Sequence, residues 1–189
     1  YARLLGKHNI ITKDELKQLE EGLDDILELY EKGEFILKVE DEDSHTKIED
    51  YLIEKLGDTG KKIHTGRSRN DQVLAMTRWF LRRKSKEIQK QTLDLALNMI
   101  VFAKKHEMVA MPGYTHMQKA MPTTVGSWMG AFIESLIDDV KMLVTINEEI
   151  VDQNPLGSGA GYGTPFDFDR DWLSNEIGFR KTQNNAIYC

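Results

Sequence analysis

Three short stretches gather side chains that can hold anions and move protons. In Thr65-Gly-Arg-Ser-Arg-Asn-Asp-Gln72, two arginines, a serine and an asparagine crowd the start of the longest helical pattern in the chain. Unpaired backbone N–H groups at a helix start attract anions. Arg69 adds paired donors that match a carboxylate, and Asn70 can donate to a second oxygen or help cap the helix. The stretch suits a cradle for carboxylate or phosphate. Ser68, Asn70 and Asp71 would serve equally as helix caps, with the arginines in surface ion pairs.

The second stretch, Met111-Pro-Gly-Tyr-Thr-His-Met-Gln118, puts an imidazole, a hydroxyl, a phenol and an amide into a connector between two helical patterns. His116 there could move protons, although a lone loop histidine is usually just solvated. The third, Gly157-Ser-Gly-Ala-Gly-Tyr-Gly163, lacks the Gly-Lys-Ser/Thr ending of a phosphate loop and any preceding strand. It is not a Gly-x-Ser-x-Gly elbow, so Ser158 has little support as a nucleophile, and a tightly turning loop is the simpler account. Together, anion-holding groups and a proton-transferring group are what elimination from a carboxylate substrate requires.

Long helices must position these stretches. Thr12-Lys-Asp-Glu15 has capping-box spacing and precedes apolar residues at helical intervals, which predicts a helix from about Thr12 to Lys32 with Gly33 after it. Phe35–Val39 is too short to assign. The acidic run Glu40–Asp43 suits the front of a helix carrying Ile48, Leu52 and Leu56 and ending at Gly57. His45 shares that stripe and reads as a hydrogen-bonded core residue before it reads as a catalyst. Residues 57–62 form a predicted linker. From Asn70 to Met108 nothing interrupts a helix of some 55 Å at about 1.5 Å per residue. A second pattern runs from about Thr123 to Asp152, and a short amphipathic piece spans Phe168 to Ile177. The two long helices read as an antiparallel hairpin within an all-α bundle, with no confident sheet. Their apolar sides need further chain or other subunits to cover them.

The 189 residues carry a formal charge of −6, which gives no general pull toward phosphate backbones, so nucleic acid is a poor partner. No apolar run approaches the roughly 18 residues of a membrane span. The single cysteine, Cys189, forbids an intrachain disulfide, and a cytoplasmic location fits best. Beginning at Tyr1 rather than methionine, the sequence is expected to be a piece of a longer protein.

The three stretches resemble, in order, signature segments of the argininosuccinate lyase family within the fumarase/aspartase superfamily. These are HTGRSRNDQV at 64–73, PGYTHMQ at 112–118 and PLGSGAGYGTPFDFDR at 155–170, with a weaker match in DEDSHTKIE at 41–49. The resemblance implies a homotetramer around a central helix bundle, with residues 1–68 in a smaller N-terminal helical domain and 69–189 in the bundle. It implies reversible cleavage of argininosuccinate to arginine and fumarate, with no metal or organic cofactor. It makes His116 a proton-transfer residue, Asn70 and Thr115 substrate-binding and Arg69 a carboxylate ligand, with Ser68, Gln118, His45, Tyr114 and Ser158 as further candidates. The family's mobile Gly-Ser-Ser-x-Met-Pro-x-Lys-x-Asn loop and its early N-terminal serine are missing here, so this piece alone is expected not to turn over substrate. The resemblance leaves open adenylosuccinate lyase, aspartase or fumarase activity and a crystallin-type structural homologue. A plain helical oligomerisation module would explain the stripes but not the polar clusters at helix ends.

Overall fold

The Thr12 side chain accepts a hydrogen bond from the Glu15 N–H and the Glu15 carboxylate accepts one from the Thr12 N–H, the reciprocal cap that the spacing predicts. The helix it starts, α2 (Lys13–Glu31), ends where Gly33 takes a left-handed φ of 74°, with N–H bonds from Gly33 to the Tyr30 carbonyl and from Glu34 to the Leu29 carbonyl. Asp43 caps α3 (Ser44–Leu56) by accepting from the Thr46 N–H.

Our structure is a computed structural model describing residues 1–189. The chain forms two compact units, residues 1–76 with 153–189, and residues 77–152. In the first, α1 (Ala2–Lys7), α2, α3, α4 (Asp58–Lys61) and α7 (Arg170–Glu176) enclose Leu4, Leu5, Leu19, Leu52 and Leu173. Each such leucine contributes about 1.5–3 kcal/mol by leaving water. Two short strands, β3 (Gln153–Asn154) and β4 (Lys181–Thr182), pair in parallel in the same unit. The expected linker at 57–62 is instead α4 followed by a 3-10 turn over Lys62–His64. Two glycines there suggest a loop, but tertiary packing overrides that weak preference: Gly60 sits so close to α3 that a Cβ would lie 2.2 Å from the Leu52 carbonyl oxygen.

The longest helix, α5 (Arg69–Lys105), begins in the first unit and continues in the second, where it is followed by strands β1 (Ala110–Thr115) and β2 (Gln118–Thr124) and by α6 (Val125–Ile146). The connector is thus a β-hairpin, which corrects the expectation of a sheet-free chain. Two prolines and a His-Met turn in place of Asn-Gly hide the usual hairpin signal. Pro112 and Pro122 face each other across the ribbon, where edge strands tolerate the missing N–H groups.

Within the second unit α5 and α6 run antiparallel, as their patterns predict. At one end Gly126 approaches so closely that a Cβ would lie 2.8 Å from the Ala103 carbonyl oxygen; at the other, Arg82 pairs with Asp152 at 2.8 Å. The second helix stops being α-helical at Ile146 and widens over Asn147–Val151, where the Asp152 N–H reaches back five residues to the Asn147 carbonyl. Half-exposed Trp79, Phe80, Ile88, Leu95, Trp128, Phe132 and Met142 line the two helices. The all-α class stands, with the hairpin as a local exception.

Candidate active site

Arg69, the first residue of α5, is engaged on every side. Its Nη1 donates to Glu49 Oε1 and Gln72 Oε1, both at 2.8 Å. Its Nη2 donates to Thr46 Oγ1 at 3.1 Å and Glu49 Oε2 at 3.3 Å, and Nε lies 3.5 Å from Asp43 Oδ2. The partners Asp43, Thr46 and Glu49 all come from the start of α3, so 41–49 and the first turn of α5 make one polar cluster. His64 joins it through Nδ1, 2.7 Å from Glu49 Oε1. None of these partners was singled out from the sequence as a site residue. Their helical spacing, three apart at 43, 46 and 49, was the available signal.

Burial alone would raise the Glu49 carboxyl, but hydrogen bonds from Arg69 and His64 outweigh it and hold the group below its ordinary 4.5. A depressed carboxyl contributes stability that is complete above that ordinary value and lost as pH falls through the depressed one. Glu49→Gln is therefore expected to cost about 1–2 kcal/mol near neutrality. This is less than a fully buried pair, because the Arg69 side chain is 34% exposed. Denaturation midpoints of wild type and variant, followed down through the acidic range, should converge below pH 4.5. A gap that persists at the acid end would assign the effect to packing.

Two residues on, Asp71 is only 1% exposed. Its Oδ1 accepts from the Ser68 N–H at 3.0 Å, and its Oδ2 accepts from the N–H groups of Gly157 and Gly159, both at 3.1 Å. Burial pushes this carboxyl up, against the hydrogen bonds and nearby Arg67. The glycine-rich stretch is thus fastened to the helix start, a contact 86 residues apart in sequence that no local pattern announces. Arg170 braces the same loop, donating from Nε to the Leu156 carbonyl and from Nη2 to the Pro155 carbonyl.

The candidates in this unit divide by availability. Ser68 Oγ is used as a cap, accepting from the Asn70 N–H at 3.2 Å. Asn70 itself is exposed on the first turn, and its carboxamide makes no hydrogen bond within the chain. Ser158 is 1% exposed and its hydroxyl has no partner, so it is enclosed and not presented to a substrate. His45 is half-buried, with its pKa lowered by that burial, and makes no hydrogen bond; the bonded core residue of the sequence reading is not found.

In the second unit the hairpin carries Tyr114, Thr115, His116 and Gln118, all exposed. Thr115 pairs with Gln118, which leaves His116 and Met117 as a two-residue turn. Both have positive φ, 51° and 60°, as a type I′ turn demands. Glycine and asparagine normally fill such positions, and residues held in that region cost about 1–3 kcal/mol each. Strained, exposed and beside a hydroxyl, the imidazole stands at the extreme tip of the ribbon with both ring nitrogens free. An arrangement of this kind can give or take a proton, and the unpaired Asn70 amide can donate to an anionic oxygen. The structure brings Arg69, Asn70, Ser68 and Ser158 into one unit, and Tyr114, Thr115, His116 and Gln118 into the other.

Known proteins resemble this chain in sequence and in fold. Argininosuccinate lyase of Thermotoga neapolitana is 44% identical over 188 residues, which is 100% of this chain and 47% of that protein. Argininosuccinate lyase of Bacteroides thetaiotaomicron is 42% identical over 189 residues, 100% of this chain and 42% of that protein. The chain therefore spans less than half the length of these curated relatives. Among solved structures, an EDDS lyase variant with bound fumarate superposes with a TM-score of 0.88 at 26% identity, covering 98% of this chain and 36% of that one. A fumarate lyase/delta crystallin from Brucella melitensis, at 19% identity and a TM-score of 0.80 over 98% of this chain and 45% of that one, shares the fold. The sequence profile of the lyase family matches residues 1–187, so all three polar stretches and the helices that carry them lie inside the match, and the chain belongs to the lyase family.

Proposed function

We propose that the complete protein is an argininosuccinate lyase, which reversibly eliminates arginine from argininosuccinate and leaves fumarate. The observation that carries this is the set of free polar side chains, Asn70 on a helix start and Thr115 and His116 on a strained hairpin tip, in a chain 44% identical to a protein of that name. The reaction removes a proton from the carbon beside a carboxylate. The electron pair left behind spreads onto the carboxylate oxygens, then forms the double bond of fumarate as the C–N bond breaks, and the departing guanidino nitrogen takes up a proton. Donors at those oxygens bind most strongly after the first proton has left, which lowers the barrier rather than merely tightening binding. In this scheme Asn70 and Thr115 are the donors and His116 is one half of the acid/base pair. Arg69, whose donors are taken by Glu49, Gln72 and Thr46, braces the first turn of α5; service as a carboxylate ligand would require it to exchange the Glu49 pairing.

The half-exposed apolar side chains along α5 and α6 support self-association into the homotetrameric bundle of the family. The same reading takes residues 1–68 as an N-terminal helical domain and 69–189 as the bundle, although 69–76 and 153–189 pack with 1–68 in one compact unit, and it takes the protein as cytoplasmic. Likeness to EDDS lyase favours one second possibility, elimination of a different amine from a related amino-dicarboxylate. A substrate panel on the complete protein decides between them, with fumarate followed by its ultraviolet absorbance. Release from argininosuccinate well above release from other amines is expected, and none from any of them would end the proposal.

A further inference from the structure

We propose that Asp71 is a positioning residue: its buried carboxylate fastens the glycine-rich loop to the turn of α5 that carries Asn70, and so fixes the surroundings in which Asn70 meets substrate. This rests on the lyase activity proposed above and adds a residue that the family resemblance did not supply.

Capping explains only half of what Asp71 does. One oxygen, Oδ1, serves the Ser68 N–H at the helix start. The other, Oδ2, serves the loop alone, through Gly157 and Gly159. Those two N–H groups can converge on one oxygen because both glycines hold left-handed backbone, φ 86° and 66°. A side chain at Gly159 would be strained and would put its Cβ 3.0 Å from the Gly163 carbonyl oxygen. The loop thus folds into a concave pair of N–H donors of the kind that binds anions. Here the anion is a side chain of the protein. The loop closes on itself as well, with the Gly163 N–H donating to the Ser158 carbonyl at 3.0 Å. A carboxylate that only capped the helix would do so from the surface, where its charge stays solvated. This one is enclosed, and removing it leaves three backbone N–H groups without their acceptor.

Asp71→Asn in the complete protein tests the proposal. With Oδ1 kept as the acceptor for Ser68, the new amide turns N–H groups toward the glycine N–H groups, so the cap survives and the loop tether fails. Hydrogen exchange over residues 156–164 should rise about ten-fold or more while α2 and α3 exchange as before. Turnover per folded protein should fall about ten-fold or more, with KM changed less, as misplacement of a donor predicts. Wild-type exchange in the loop together with wild-type kcat would overturn the proposal. If the variant does not fold, Gly159→Ala strains the loop from its other side and leaves Asp71 intact; the same two readouts apply. Absence of fumarate release by the wild-type protein would sink the lyase assignment instead, and the exchange measurement would still decide the tether.

Discussion

Replacing His116 with asparagine in the complete protein is expected to cut turnover about a hundred-fold or more, the usual scale for loss of a positioned proton-transfer group. Asparagine is the informative choice because of the backbone. His116 sits at φ 51° in a two-residue turn, and asparagine enters that region more readily than most residues. The hairpin, its Thr115–Gln118 pair and its exposure should all persist, so the change removes an imidazole and little else. The side chain is exposed and makes no contact that holds the fold, so stability should move by less than about 0.5 kcal/mol. Circular dichroism and light scattering would verify helicity and assembly, and initial rates of fumarate release would carry the result. An undiminished rate would reduce the histidine to a structural turn residue and require another explanation for its strained backbone.

Asn70→Ala is the second large effect, with kcat reduced about 10²–10³-fold, comparable to deletion of one donor from an oxyanion site. The physical argument is again one of availability. Around the start of α5, Ser68 and Asp71 serve the helix cap and Arg69 is held by Glu49, Gln72 and Thr46. Asn70 alone among them presents an unpaired amide, and its own N–H is already satisfied by Ser68 Oγ. Alanine is a good helix former and leaves that cap in place, so the loss should fall on the chemistry and not on stability. Because the donor acts most after the proton has left, kcat should suffer more than KM. Equal kcat with a raised KM would instead mark Asn70 as a ground-state binding contact.

The longer helices α2, α3, α5 and α6 were legible in the chain because their causes are local, whereas α1 was not read and α4 stood as a linker. Thr12 and Glu15 lie three residues apart and cap each other whatever the remainder of the protein does. Asp43 and the stripe of Ile48, Leu52 and Leu56 announce α3 in the same way. The long runs of α5 and α6 carry their period over many turns, and the apolar stripe on each gives the two helices a face along which to pair. The polar stretches could also be recognised as chemically loaded, since residue type and nearness to a helix start need no coordinates.

What the chain did not disclose depends on contacts between distant segments or on backbone angles. Asp71 looked like a cap until Gly157 and Gly159 were found on its second oxygen. Arg69 could be read equally as an anion ligand or as an ion-pair partner, and only the fold shows Asp43, Thr46 and Glu49 from the start of α3 lying against it. The connector looked like a loop because its turn residues are histidine and methionine, and their left-handed φ values contradict ordinary preference. Local order and chemical capability are therefore written in short stretches of residues, where capping and periodicity act. Which of those capable groups are occupied and which stand free is settled by packing, because burial and long-range hydrogen bonds decide where each donor and acceptor is spent.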